Sequence, residues 1–130
     1  MDFDKFKGAF VGLACGDALG APVEFIKRGR FQPVTDFQSG GKFRVNPGQW
    51  TDDTSMALCL ADSLLAKGCF DAADQMDRYA DWINTGYNSS KPHAFGIGKT
   101  ILNAMMSYSR TNNPYSGATD PKTAGNGSLM

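Results

Sequence analysis

Apolar side chains recur at helical spacing in four stretches of this chain, and the polar segments between them set where the helices stop. From Phe3 to about Leu19, the residues Phe6, Phe10, Leu13 and Leu19 fall near a helical period. A second stripe runs beside them, with Gly8, Gly12, Gly16 and Gly20 every four residues. Glycine inside a helix costs roughly 1 kcal/mol against alanine, so such a stripe predicts tight packing against another helix, with a ligand at its C-terminal end as a further use. A second helix is predicted from about Asp52 to Lys67, with Met56, Leu60 and Leu64 as its apolar row and Gly68 as its stop. A third, over roughly 72–85, places Met76, Tyr79, Ala80 and Ile83 on one side. Its charged residues Asp74, Asp77, Arg78 and Asp81 lie largely on the other, as a solvated face. A fourth, from about Ile97 to Arg110, uses Ile101, Met105 and Tyr108 and ends before the turn-rich TNNPYSG.

Residues 26–48 have no period, several glycines and prolines and five basic residues, which predicts a long irregular loop. Loops of that length are often lids or binding loops. Its cluster Lys27, Arg28 and Arg30 is expected to be solvated. Beta alternation is confined to a short stretch around Lys42 to Val45. The expected class is therefore all-α, with residues 1–130 forming one domain or part of one.

Composition adds exclusions. The chain has 130 residues, 42% hydrophobic and 20% charged, which suits a single globular core. Thirteen basic and thirteen acidic residues give a formal charge of zero, so no global field favours nucleic acid or an anionic membrane. The opening MDFDKFK lacks a basic signal region and AFVGLAC is too short to span a bilayer, so a cytoplasmic location is expected. Cys15, Cys59 and Cys69 have no CxxC spacing and are expected to be reduced, buried thiols. His93 stands alone, without partners for a histidine-rich metal site.

The candidate chemistry centres on GQWTDDTSMALCLADSLL, residues 48–65. A Thr or Asp N-cap and acids near a helix N-terminus account for part of Thr51, Asp52 and Asp53. They leave unexplained Trp50, the Pro47–Gly48 turn, and the segment GDALGAPVEF, which sets Asp17 and Glu24 among apolar neighbours. Either acid, once buried, needs hydrogen bonds or a cation. A threonine hydroxyl with several carboxylates is an all-oxygen donor set, suited to Mg²⁺ or Mn²⁺ and unsuited to zinc.

Four segments in this order and spacing, GLACGDALGAPVEF at 12–25, GQWTDDTSMAL at 48–58, FGIGKT at 95–100 and GNGSLM at 125–130, resemble the ADP-ribosylglycohydrolases. The resemblance implies a compact orthogonal helical bundle, of which this chain is the N-terminal part, around a dinuclear Mg²⁺ or Mn²⁺ centre. It implies hydrolysis of the glycosidic bond between ADP-ribose and a protein side chain or small acceptor. By the same likeness Thr51, Asp52 and Asp53 would be metal ligands and Glu24 the candidate acidic residue at the catalytic centre, acting on water or on the leaving group. Gly125, Asn126, Gly127 and Ser128 would line the ADP-ribose site, where glycine lets backbone N–H groups approach the pyrophosphate.

Two departures shape the expectation. Many members carry Asp before the Ile-Gly of the fourth helix, where this chain has Gly96. Members are also longer, and their C-terminal half supplies a further Asp-rich motif with the remaining ligands. The chain is therefore expected to be a fragment, a truncated gene product or one half of a split protein. The partners expected are an ADP-ribosylated protein or small molecule and, in the last case, a second polypeptide that supplies the other half. Beside the hydrolase stand a catalytically incompetent module that binds ADP-ribose or a partner, and a structural protein on the same scaffold. Retention of Thr51, Asp52, Asp53 and Glu24 counts against the last.

Overall fold

A computed structural model describes residues 2–124 of the chain. Four α-helices are seen among the described residues: α1 (Phe3–Gly20), α2 (Asp52–Lys67), α3 (Ala72–Thr85) and α4 (Lys99–Thr111). A 3-10 turn follows at Pro121–Thr123. Strands are absent from the described residues, and the predicted β stretch is reduced to a single antiparallel bridge between Gly40 and Val45. The class is all-α, as expected. No helix among the described residues is long and apolar enough to cross a membrane.

The helix ends follow local chemistry. Asp71 caps α3, its carboxylate accepting from the N–H groups of Ala73 and Asp74 at 3.1 Å each. Gly68, Gly86 and Asn112 end α2, α3 and α4 in the left-handed conformation. Helix α4 begins at Lys99, two residues later than the spacing predicts, because Gly98 is still extended and serves as its N-cap.

Helices α1, α2, α3 and α4 pack in sequence, each against the next. The face that α2 buries differs from the expectation. Thr51, Ser55, Cys59 and Ser63 are buried, whereas Met56 and Leu60 are half-buried and Leu64 is exposed. A row of small side chains lets α3 approach closely, and the Cys59 thiol lies 3.7 Å from the Arg78 carbonyl. One turn on from Arg78, Trp82 is completely buried. Helix α4 closes on α3 through buried Met105 and Tyr108, whose hydroxyl donates to Asp77 at 2.7 Å. The acids of α3 are thus only in part a solvated face, since Asp74 also pairs with Arg78 at 2.7 Å.

Helix α1 contacts α2 through its C-terminal end, where Ala18 is buried. The packing predicted for the glycine stripe is not found among the described residues. A Cβ added at Gly8, Gly12, Gly16 or Gly20 would meet nothing within 4 Å. Phe3, Phe6, Phe10 and Val11 of the same helix are exposed. The thiols also differ from expectation, with Cys59 buried, Cys15 half-buried and Cys69 exposed.

Side chains pin the irregular segment ahead of α2. Lys91 donates to the carbonyls of Phe43 and Arg44 at 2.6 and 3.2 Å. Gln49 donates to Ser90 O, Ser90 Oγ to Trp50 O and Trp50 Nε1 to Asn88 O. At the other end of this segment Gly41 sits against the end of α1, where a Cβ would lie 2.7 Å from Pro22 O. These ties fix where α2 starts, and with it the direction of the acids on its first turn.

Candidate functional site at the start of helix α2

Thr51 is the N-cap residue of α2, yet its side chain makes no capping bond. Asp17, from α1, does that work instead. One carboxylate oxygen accepts from Thr51 N at 2.9 Å, Thr54 N at 3.1 Å and Thr54 Oγ1 at 2.7 Å, and the other accepts from Thr51 Oγ1 at 2.7 Å. Two otherwise unpaired helix donors are thereby satisfied, and the carboxylate faces the positive end of the helix. Both threonines are buried, at 4% and 3% exposure. With its proton committed to Asp17, the Thr51 hydroxyl keeps its lone pairs for another partner.

The sequence flags Asp17 as an acid in need of partners, and the structure supplies two, Thr51 and Thr54, through four hydrogen bonds. Its role as a cap contributed by another helix, and Thr54 as its second partner, escaped sequence reasoning. The only signal was the threonine three residues beyond Thr51 in TDDT.

A cleft of about 500 Å³ opens beside this cap, lined by Asp17, Glu24, Thr51 and Asp53 together with Phe25, Arg28 and Phe31. Gly16 and Gly20 line it as well, so the C-terminal end of the stripe does border a space large enough for a ligand. Burial raises the Glu24 carboxyl above its usual range, and the charges of Asp53 and Asp17 add to it, while Lys42 pulls the other way. Burial likewise raises Asp53, with Asp17 contributing. Asp52 is pushed up to about 6, by burial first and by Asp53 and Glu24 beyond that. Asp52 is not among the residues lining the cleft; its carboxylate lies against the backbone of Gly96.

Glu24 leads directly into strained backbone. Phe25 has φ of 68°, a left-handed conformation that a bulky side chain rarely adopts. Its ring is held by an edge contact to Phe43 at 6.0 Å and by Lys42 Nζ at 4.0 Å. Strain of this kind persists where surrounding contacts over-determine it, and such residues cluster at functional sites.

The structure thus brings Thr51, Asp53 and Glu24 to one cleft and sets Asp52 behind them. Gly125, Asn126, Gly127 and Ser128 lie outside the described residues. The donor chemistry suits a hard divalent cation: oxygen ligands only, and three carboxyls raised by burial and mutual repulsion. The fit is partial. Among the described residues no three Asp, Glu, His or Cys side chains converge closely enough to cage a metal ion.

A helical scaffold with an acidic cleft at a helix start, built from GDALG and TDD segments, defines the class, and comparison with known proteins agrees. The ADP-ribosylglycohydrolase family model matches residues 1–130, and the chain belongs to that family. It is 46% identical over 127 residues to the ADP-ribosylarginine hydrolase Tri1 of Serratia proteamaculans, covering 98% of this chain and 34% of that protein. It is 40% identical over 134 residues to the ADP-ribosyl-[dinitrogen reductase] glycohydrolase of Rhodospirillum rubrum, covering 98% of this chain and 42% of that protein. A solved structure described as an ADP-ribosylglycohydrolase-related protein complex superposes with a TM-score of 0.78 at 48% identity, over 95% of this chain and 38% of that one. The chain therefore spans 34% to 42% of the length of these relatives.

Proposed function

We propose that this chain carries the nucleotide-sugar-hydrolysing half-site of a metal-dependent ADP-ribosyl hydrolase, acting on the glycosidic bond between ADP-ribose and a protein side chain or small acceptor. The observation that carries the reading is the Asp17 cap. It holds Thr51 with its hydroxyl lone pairs free beside Asp53 and Glu24, on the rim of a cleft large enough for a ligand. The names of two relatives supply the substrate class, and the Tri1 name supplies arginine as the first acceptor to test.

Thr51, Asp52 and Asp53 would hold Mg²⁺ or Mn²⁺, with further donors from outside the described residues. When bound, such a cation orients ribose hydroxyls and lowers the pKa of a water. Asp17 keeps the Thr51 hydroxyl in one orientation. Glu24, its carboxyl raised by burial, is suited to exchanging a proton with water or with the leaving acceptor atom. The bond from the ribose anomeric carbon to the acceptor nitrogen or oxygen breaks through an oxocarbenium-like state, which nearby carboxylates stabilise. Water supplies the new hydroxyl and the acceptor leaves with a proton. Backbone N–H groups at Gly125 to Ser128 would take the pyrophosphate.

A second reading is favoured by the incomplete cage of ligands: the chain binds ADP-ribose or a completing polypeptide without turnover. The separating experiment incubates the chain with an arginine-ADP-ribosylated protein, with Mn²⁺ or with chelator, and measures released ADP-ribose beside calorimetric ADP-ribose binding. The hydrolase predicts release that chelator abolishes and that Asp53→Asn lowers at least about tenfold. ADP-ribose binding without release establishes the ADP-ribose-binding form of the second reading, and neither binding nor release overturns both hydrolysis and ADP-ribose recognition by this chain on its own.

A further inference from the structure

Gly96 lies in the FGIGKT segment, where the sequence reads as a lost carboxylate. Its backbone is left-handed, with φ of 81°. A Cβ built on it would overlap Asp52 Oδ1, would lie 3.0 Å from Asp52 Cγ and 3.3 Å from Asp52 N. Two residues further on, a Cβ at Gly98 meets nothing within 4 Å. The constraint therefore belongs to position 96 alone.

We infer that Gly96 is a positioning residue for Asp52: the volume left by its missing side chain is the volume that the Asp52 carboxylate occupies. The backbone of Asp52 has little freedom to retreat, because the flanking Thr51 and Thr54 N–H groups are bound to Asp17. The carboxylate, at the end of a short side chain, is the part that yields. A side chain at 96 and this placement of Asp52 thus exclude one another. Gly96 then fixes where the Asp52 carboxylate lies behind the cleft, so it is a determinant of the site rather than a lesion in it. The effect on metal rests on Asp52 being a ligand, as proposed above; the effect on the position of its side chain does not.

The test compares Gly96→Ala with Gly68→Ala in the full chain. Gly68 is also left-handed, with φ of 68°, but has open space around it, so it reports backbone strain alone. Crystal structures, melting temperatures and Mn²⁺ titration followed by electron paramagnetic resonance are the readouts. Gly96→Ala is expected to swing the Asp52 carboxylate away and to lower Mn²⁺ affinity at least tenfold, to the level of Asp52→Asn, with Gly68→Ala unchanged. In an Asp52→Ala background, any melting loss of Gly96→Ala beyond that of Gly68→Ala is expected to vanish, which decides the matter even where the single variant is too unstable to crystallise. An Asp52 carboxylate unmoved in Gly96→Ala, or an excess melting loss that persists without Asp52, overturns the inference. If the unmodified chain binds no Mn²⁺ while Asp52 still moves in Gly96→Ala, the metal reading of Asp52 fails and the positioning role of Gly96 stands.

Discussion

Asp17 is the residue on which the site turns, and its four bonds are not equivalent. Three converge on one oxygen and include both backbone N–H groups; the other oxygen receives only the Thr51 hydroxyl. Asp17→Asn can keep the first oxygen as a carbonyl and put its amide where the second was. The Thr51 hydroxyl must then turn round and accept, which spends a lone pair a cation would use. The expected outcome is a loss of Mn²⁺ affinity out of proportion to stability, read by titration beside thermal melting. Asp17→Ala orphans both helix N–H groups and is expected to lower stability by about 3 kcal/mol in denaturant unfolding.

At the scale of elements, helical periodicity located all four helices but misjudged two of their faces. Residues 52–67 read as a helix presenting Met56, Leu60 and Leu64, yet α2 buries the polar row Thr51, Ser55, Cys59 and Ser63. The reason is steric: a small-residue face admits α3 at close range, so that the Cys59 thiol reaches the Arg78 carbonyl at 3.7 Å. No pattern of hydropathy announces this, because serine and threonine score as polar whichever way they point. The glycines of α1 illustrate the converse. Their spacing promises a partner helix, but helix–helix contact is decided by what lies opposite, which the stripe itself does not encode. Trp82 is the element-level keystone, so Trp82→Ala is expected to cost about 3–5 kcal/mol, measured by chemical denaturation.

For the whole molecule, the carboxyls with shifted values fall into two sets with opposite effects on stability. In metal-free protein Asp52, Asp53 and Glu24 have folded-state values raised by burial. The folded chain therefore binds more protons than the unfolded one between the ordinary carboxylate range and about 6, the value of Asp52. Stability falls as pH rises through that window. Asp62, held by Tyr87 and Asn88, and Asp71 and Asp74, held by a helix N-terminus, Lys67 and Arg78, are lowered. Their contribution is present above the unfolded value and is lost as pH falls below it. The melting temperature of chelator-treated protein is expected to rise from about pH 7 to about pH 5 and to fall again in stronger acid. Saturating Mn²⁺ is expected to remove the rise, because the cation replaces the proton; a flat apo profile overturns the account.

The acids were legible in the sequence as a group, and Thr51, Asp53 and Glu24 do share a cleft. What could not be read was who holds them. The cap on α2 comes from a residue 34 positions upstream. Gly96, far along the chain, decides where Asp52 points. Both facts are contacts between distant segments, invisible to spacing and period.

That distance has a consequence for how the cleft comes into being. A helix capped by its own neighbour can form its end locally, but here the end of α2 is completed only when the intervening loop has closed, at an entropic cost that grows with the logarithm of loop length. A peptide of residues 48–65 would possess every letter of the motif and none of its geometry. The start of α2 is completed by tertiary contact, through the same bonds that dock α1.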